Sequence, residues 1–521
     1  MLFVTVVASV YLASVVGETD PAVDRAYVAA VYEHKVILNP NPRVPVSRQV
    51  ALQHMQKNLA IYEKQAALAA QQRAQILVFP EDGIHGFNFT RSSIAGYLET
   101  IPDPQKEEWN PCLEPRRYNN TEVLQRLSCM ALRNKLYLVA NMPDLQPCPL
   151  KMSSTSSCPP DGHWQFNTNV VFSSKGLLVA RYHKQNLYFE ESFDTPPELE
   201  VITFDTEFAG RFGLFTCFDI MFHDPAVVLV EKGVRQFAFP TAWMNALPLL
   251  DSVQFQRAFS LGANVTLLAA NIRNGKRMKG SGIYTPFSAT YHQAWEGDPE
   301  EGRLLVASVP VLEPLGVKQN TAKEEGAGGG KSTSSVAADS GYCSQDNCDN
   351  PPPDSGPSSY STFVSSMMHD PFTFVFLNET KGNVKVCNGT FCCHLHYRWI
   401  LQDRKELYAL GVFGGLHIYH GHYGLQVCAV VRCAGLDQSS CGKVVEEAES
   451  KMDFLLEGIF DTKYVYPSIL TSRMILEQPE NLEKAADGRV TMTHSNMKAG
   501  LVTACLYGRM YHLDKQWIRN D

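Results

Sequence analysis

Phe212-Gly213-Leu214-Phe215-Thr216-Cys217-Phe218-Asp219-Ile220 is an apolar, aromatic run that breaks off at a cysteine. Its first residues read as a buried strand ending at Cys217, and no glycine or proline follows to make a plain turn. A thiol held where a strand bends into the next element is fixed by backbone geometry, and the N–H groups beyond it point at whatever it attacks. That arrangement suits acyl transfer. The other reading is a buried structural thiol or half of a disulfide. The segments on either side bear on the choice.

Upstream, residues 27–32 are predicted to form the first core strand, and Pro40, Pro42 and Pro45 mark a loop. From Ser47 the apolar residues Leu52, Met55, Leu59, Tyr62, Ala66 and Ala69 step by three and four, which predicts an amphipathic helix. The helix leads into a short strand at 76–79 and then Pro80-Glu81-Asp82-Gly83. This strand-helix-strand unit delivers a carboxylate at the carboxyl end of its second strand. Further strands are predicted at 136–141, 169–172 and 177–182, the last running out at His183-Lys184-Gln185-Asn186-Leu187. Downstream of Cys217, residues 236–240 and 266–270 supply two more, with helical stretches between, so the pattern is that of a layered α/β domain.

Three strand ends therefore bring Glu81, Lys184 and Cys217 toward one site. A carboxylate can take the thiol proton, an ammonium can favour thiolate and stabilise an oxyanion, and sulfur can accept an acyl group. Taken singly, Glu81 is equally a loop acid or helix cap and Lys184 a surface cation. A rival pairs Cys217 with His223, oriented by Asp219 or Asp224. The His-x-His pairs His394/His396 and His420/His422 are read as surface or disulfide-flanking residues, because no ordered set of further metal ligands accompanies them.

The chain has 521 residues, 45% of them apolar, which suits a large domain plus a smaller one. A net charge of -8 with no clustered Lys/Arg stripe argues against nucleic acid and anionic membrane as partners. Residues 1–17 read as a secretory signal peptide without its positive start, and no later run is long enough to span a membrane or to serve as a lipid-anchor signal. Export fits the fourteen cysteines and the N-x-S/T sequons at Asn88, Asn119, Asn264, Asn378 and Asn388. Asn264 is set aside as a glycosylation site because Asn264-Val265-Thr266-Leu267 looks like a buried strand. The cysteines cluster as 112/129, 148/158, 343/348 and 387/392/393/428/433/441, which leaves Cys217 and Cys505 isolated.

Residues 18–317 form the expected catalytic domain. Residues 318–362, with Gly326-Ala327-Gly328-Gly329-Gly330 and Pro351-Pro352-Pro353, read as a flexible linker. Strands predicted at 372–376, 384–392, 408–413, 425–431 and 502–507, with Asn388-Gly389 as a hairpin turn, make 363–521 a β-rich, disulfide-stapled second domain.

Pro80-Glu81-Asp82, His183-Lys184-Gln185-Asn186-Leu187 and Thr216-Cys217-Phe218-Asp219 resemble the three signature segments of the nitrilase superfamily. Within it, residues 81–91 (EDGIHGFNFTR), 109–127 (WNPCLEPRRYNNTEVLQRL), 166–173 (FNTNVVFS) and 240–245 (PTAWMN) are similar to the biotinidase and vanin branch, and the likeness runs from about Tyr27 to Arg509. The resemblance implies an α-β-β-α sandwich. It also implies Glu81 as base, Lys184 as oxyanion stabiliser, Cys217 as nucleophile and the Phe218 backbone N–H in the oxyanion hole. The implied reaction is hydrolysis of a linear amide through a cysteine thioester, with no metal and no cofactor. The implied substrates are biotinyl amides (biocytin and biotinyl-peptides), with biotinyl transfer to amines as a second outcome. The alternative is pantetheine, cleaved to pantothenate and cysteamine, and His183-Lys184-Gln185 is closer to the wording of that group. The enzyme is expected to be exported, monomeric, free of a membrane anchor, and glycosylated at Asn88, Asn119, Asn378 and Asn388.

Overall fold

The computed structural model describes residues 25–148, 158–275, 277–293, 302–313 and 361–517. The leader at 1–17, nearly all of the 318–362 segment, and Cys343 and Cys348 lie outside the described residues.

The chain begins with β1 (Ala26–Lys35), α1 (Arg48–Gln71), β2 (Ile76–Val78), α2 (Glu122–Asn134), β3 (Tyr137–Pro147), β4 (His163–Phe172) and β5 (Leu178–His183). It continues through β6 (Thr203–Thr206), β7 (Gly210–Leu214), α3 (Val228–Glu231), β8 (Gln236–Thr241), α4 (Ser252–Ala263) and β9 (Thr266–Arg273). β10 (Ser281–Tyr284), β11 (Ala289–His292) and β12 (Gly302–Pro310) complete this part. The strands form two layers, β5-β4-β3-β2-β1 with β12 antiparallel to β1, and β6-β7-β8-β9 with β10 on β9 and β11 on β10. A short parallel pairing of His34 with Ile272 and Lys35 with Arg273 joins them.

Alternation along β1 explains the layering. Tyr27, Ala29 and Val31 face the second sheet, where the Tyr27 ring stands edge-on to Phe212 at 5.8 Å and its hydroxyl donates to Gln236 at 3.1 Å. Ala30 and Tyr32 face the other way, onto Met55, Leu59 and Tyr62 of α1 and Leu124 and Leu127 of α2. The helix predicted from Ser47 is α1, whose N-cap hydroxyl accepts from the Val50 N–H and whose buried stripe holds Met55, Leu59, Tyr62, Ala66 and Ala69. On the far side α4 lays Phe255 and Phe259 against Phe215 and the second sheet, completing the α-β-β-α sandwich.

The second domain contains β13 (Thr362–Met367), β14 (Asp370–Phe376), β15 (Lys381–Asn388), β16 (Phe391–Leu401), β17 (Leu407–His417) and β18 (Tyr423–Cys433). Then follow β19 (Lys451–Ile459), β20 (Val465–Thr471), β21 (Ile475–Leu476), β22 (Asn481–Lys484), β23 (Arg489–His494), β24 (Leu501–Arg509) and α5 (Tyr511–Trp517). A seven-stranded sheet, β13-β14-β17-β18-β24-β20-β21, packs on a five-stranded one, β15-β16-β19-β23-β22. Cys428 and Val430 of β18 point into the core between these sheets, whereas Val427, Ala429 and Val431 join the core of the first domain. The seven-stranded sheet is thus buried on both faces.

Disulfides join Cys112–Cys129, Cys148–Cys158, Cys387–Cys392, Cys393–Cys428 and Cys433–Cys441, and Cys393–Cys428 ties β16 to β18 across the sandwich. Among the described residues Cys217 and Cys505 are free and buried. Cys505 is 1% exposed on β24, and burial pushes its thiol well up. Alkylating native protein should therefore modify Cys217 first and Cys505 only after unfolding. Recovery of a disulfide-linked Cys505 peptide by mass spectrometry would contradict this.

Three local expectations are corrected. The strand leading to the nucleophile ends at Leu214, and Cys217 opens a 3₁₀ turn, Cys217–Met221. Asn264 is not in a buried strand: it is the exposed left-handed cap of α4 (φ 56°), and β9 starts only at Thr266. The hairpin after β15 pairs Asn388 with Phe391, so Gly389-Thr390 is its two-residue turn, with Gly389 at φ 60°.

Candidate active site

Glu81, Lys184 and Cys217 each follow the carboxyl end of a strand (β2, β5 and β7), and all three are buried, at 1%, 2% and 7% exposure. Glu81 Oε1 accepts from Lys184 Nζ at 2.7 Å and from Asn167 Nδ2 at 2.8 Å, and Oε2 accepts from the Ala242 N–H at 2.8 Å. The carboxylate is thus fixed by three elements at once. Lys184 also donates to Glu190, whose other oxygen accepts from Asn167 at 2.8 Å. Burial alone would lower the lysine, but the Glu190 and Glu81 carboxylates outweigh it and hold the ammonium charged well above its usual range.

The thiol behaves differently from the sequence expectation. Burial and the Glu81 charge push Cys217 well up, against the pull of Lys184 and the Ala242 N–H. Lys184 already serves two carboxylates, so its pull on the thiol is not enough to offset burial.

Local sequence explains the pose of Cys217. Its φ of 44° lies in the left-handed region that most side chains avoid, and the flanking residues hold it there. Thr216 and Asp219 close a capping box, with the Thr216 N–H donating to Asp219 Oδ2 at 2.9 Å. The same Asp219 carboxylate accepts from the Tyr182 hydroxyl at 2.7 Å and from the Asn186 N–H and side chain at 2.9 and 2.8 Å. Asp219 therefore locks the Lys184 segment onto the nucleophile turn. Phe218 is the next residue of that turn; the Asp219 N–H bonds back to the Thr216 carbonyl, whereas the Phe218 N–H has no such bond among the described residues.

The His223 reading fails on geometry. Its Nδ1 faces Asp224 at 2.6 Å, its Nε2 faces Glu231 at 3.3 Å, and its ring packs on Tyr464 and Tyr511. Asp219 orients the lysine segment instead. His394 and His396 share a face of β16, and among the described residues no group of three His, Cys, Asp or Glu side chains gathers as a metal site.

Several site residues escaped the sequence reading. Glu190 carries no periodic or motif signal, and the stretches 166–173 and 240–245 contain Asn167 and Ala242 without singling them out. His420 is exposed, as expected of a surface residue, and its Nδ1 meets the Tyr188 hydroxyl at 3.2 Å on the rim of the site. From the second domain the fully buried Arg509 donates from Nε to the Met221 carbonyl at 2.8 Å and from Nη2 to Asp514 at 2.5 Å. It braces the nucleophile turn from behind.

Cys217 borders two cavities. One is lined by Glu81, Asp82, Lys184 and Glu190 together with Phe87, Phe89, Phe189 and Phe193, so its wall is more apolar than polar. The other lies between the domains and is largely apolar, with walls from Trp243, Leu249, Leu250, Phe372, Leu425 and Tyr507. Of the sequons, Asn88, Asn119 and Asn378 are exposed, whereas Asn388 is half-buried with its amide nitrogen 3.2 Å from the Thr373 hydroxyl.

Residues 46–275 match the carbon-nitrogen hydrolase family, and residues 361–514 match the Vanin C-terminal domain. A Takifugu rubripes protein named biotinidase is 68% identical over 95% of this chain and 96% of its own. The Homo sapiens biotinidase is 48% identical over 94% of this chain and 90% of its own. A Bos taurus pantetheinase is 44% identical, again over 94% and 90%.

Proposed function

The chain belongs to the carbon-nitrogen hydrolase family, in the branch that holds biotinidases and pantetheinases, and from that membership we propose that it releases biotin from biocytin and biotinyl-peptides. The observation that carries the proposal is the position of Cys217 where the cavity lined by Glu81 and Lys184 meets the one between the domains. Glu81 takes the thiol proton as sulfur bonds to the amide carbon, and Lys184 with the Phe218 N–H stabilises the oxygen that gains charge. Glu81 then passes the proton to the amine, the C–N bond breaks, and a biotinyl thioester remains on Cys217. Water enters from the vacated side and gives its proton to Glu81 as it attacks. The C–S bond then breaks, and the sulfur regains its proton. A second amine in place of water would give biotinyl transfer.

The leaving amine needs the Glu81 proton, so it lies in the cavity that Glu81 lines. The acyl group then fills the largely apolar cavity between the domains. Identity to the biotinidase relatives exceeds that to the pantetheinases, which favours a biotinyl over a pantothenyl group. Export and glycosylation at Asn88, Asn119, Asn378 and Asn388 belong to the same proposal. The disulfides fit an oxidising compartment, and among the described residues no helix is long and apolar enough to cross a membrane.

Purified protein assayed on biocytin and pantetheine side by side should show the larger kcat/KM on biocytin. A preference for pantetheine would replace the biotinyl reading with the pantetheinase one.

A further inference from the structure

The cavity between the domains holds a buried pair of polar side chains, an acid and an imidazole. Asp370 (4% exposed) starts β14, His417 (5% exposed) ends β17, and both line the cavity together with Cys217. Asp370 Oδ2 lies 2.7 Å from His417 Nδ1, while His417 Nε2 contacts the Tyr419 carbonyl and the ring stacks on Tyr423 at 4.5 Å. His417 thus holds Asp370 by one oxygen. The carboxylate's second oxygen, Oδ1, is not used by His417. A carboxylate set into walls such as Leu250, Phe372 and Leu425 is costly to desolvate unless its acceptor capacity is met.

We infer that Asp370, held in place by His417, is the polar recognition group for the head of the acyl chain, accepting an N–H of the biotin ureido ring. The inference rests on the proposed reading and names the residue that selects the acyl group. The aliphatic chain and the sulfur-containing ring match the apolar walls. The ureido N–H groups are donors that would be stranded in such a cavity without an acceptor. The competing role for the pair is a strut: β14 and β17 are paired only from Thr373 to Phe376 against Ala409 to Val412, so Asp370 and His417 join the strands beyond their ladder.

Asp370→Asn separates the two roles. The carboxamide keeps the shape, but its single oxygen goes to the His417 N–H, which turns an NH₂ donor toward the ureido donor. On Nε-biotinyl-lysine the variant should lose about 10- to 100-fold in kcat/KM, mainly through KM. On Nε-hexanoyl-lysine, which has the same leaving amine and no ureido ring, it should stay within about 2-fold of wild type by the same reasoning, and that retained turnover also reports an intact fold. An equal loss on both substrates, or no loss on either, would overturn the assignment. A substrate-side arm needs no variant: methylating the ureido nitrogens of the biotinyl group should weaken turnover by wild-type enzyme to a similar extent, and unchanged turnover would count against Asp370. Wild-type rates on biocytin and pantetheine judge the acyl identity, whereas the variant's biotinyl-to-hexanoyl ratio judges Asp370, so the two failures are distinguishable.

Discussion

Cys217→Ser is expected to remove amide hydrolysis almost completely, by on the order of 10⁴- to 10⁶-fold in kcat, the range seen when a hydrolase loses its nucleophile. The substitution changes one atom in a cavity that already holds a neutral thiol, so folding should be close to wild type. What changes is acidity. Glu81 can take a thiol proton as the bond to carbon forms, but a serine hydroxyl is far harder to deprotonate, and His223 is engaged with Asp224 and Glu231. The check is single-turnover and steady-state assay of the secreted variant, with thermal unfolding as the folding control. Turnover near the wild-type rate would exclude Cys217 from the mechanism.

Lys184→Met should lower kcat/KM by about 10²- to 10³-fold or more, the usual cost of deleting an oxyanion donor. His223→Gln should stay within about 3-fold, as befits a residue whose partners lie outside the site. A Cys-His enzyme would reverse that ranking, and a nearly inactive His223→Gln beside an active Lys184→Met would defeat the nitrilase mechanism. The lysine variant also leaves Glu81 and Glu190 facing each other in a buried space, which costs about 3–5 kcal/mol when a buried pair is broken. Adding Glu190→Gln to Lys184→Met relieves that repulsion without restoring the ammonium. If the double variant regains stability but not activity, the loss lies in the oxyanion and not in the fold.

The three candidate site residues were legible in the sequence because strand ends announce themselves. Apolar runs broken by Pro80-Glu81, His183-Lys184 and Thr216-Cys217 point to one edge of a layered sheet, and the spacing of Met55, Leu59 and Tyr62 gave α1. What surrounds those residues was not legible. Glu190 reaches Lys184 through an irregular loop, and Asn167 lies in the buried part of β4, where its polar side chain is not set apart from Thr168 or Asn169. The resting state of the thiol depends on how many carboxylates share one ammonium, a quantity of three-dimensional packing. Asn264 misled because a helix cap and a strand start lie side by side in the sequence, and only the left-handed turn at the asparagine separates them. Asp370, His417 and Arg509 reach the site by tertiary packing alone, from a domain that carries none of the three reactive groups.

That packing bears on how the protein holds together and how it can diverge. The catalytic sandwich and the seven-stranded sheet share one continuous apolar core through Val427, Ala429 and Val431, and Arg509 bonds across the boundary to the nucleophile turn. Losing the C-terminal part would expose that core, open the acyl side of the cleft and leave the Met221 carbonyl without its donor, so the two halves form one thermodynamic unit instead of an enzyme with an appendage. The division of labour also separates two kinds of change. In the proposed mechanism the bond-breaking residues all lie in the first half, while much of the acyl-side wall comes from the second, so substitutions there can alter which acid is released while Glu81, Lys184 and Cys217 stay as they are.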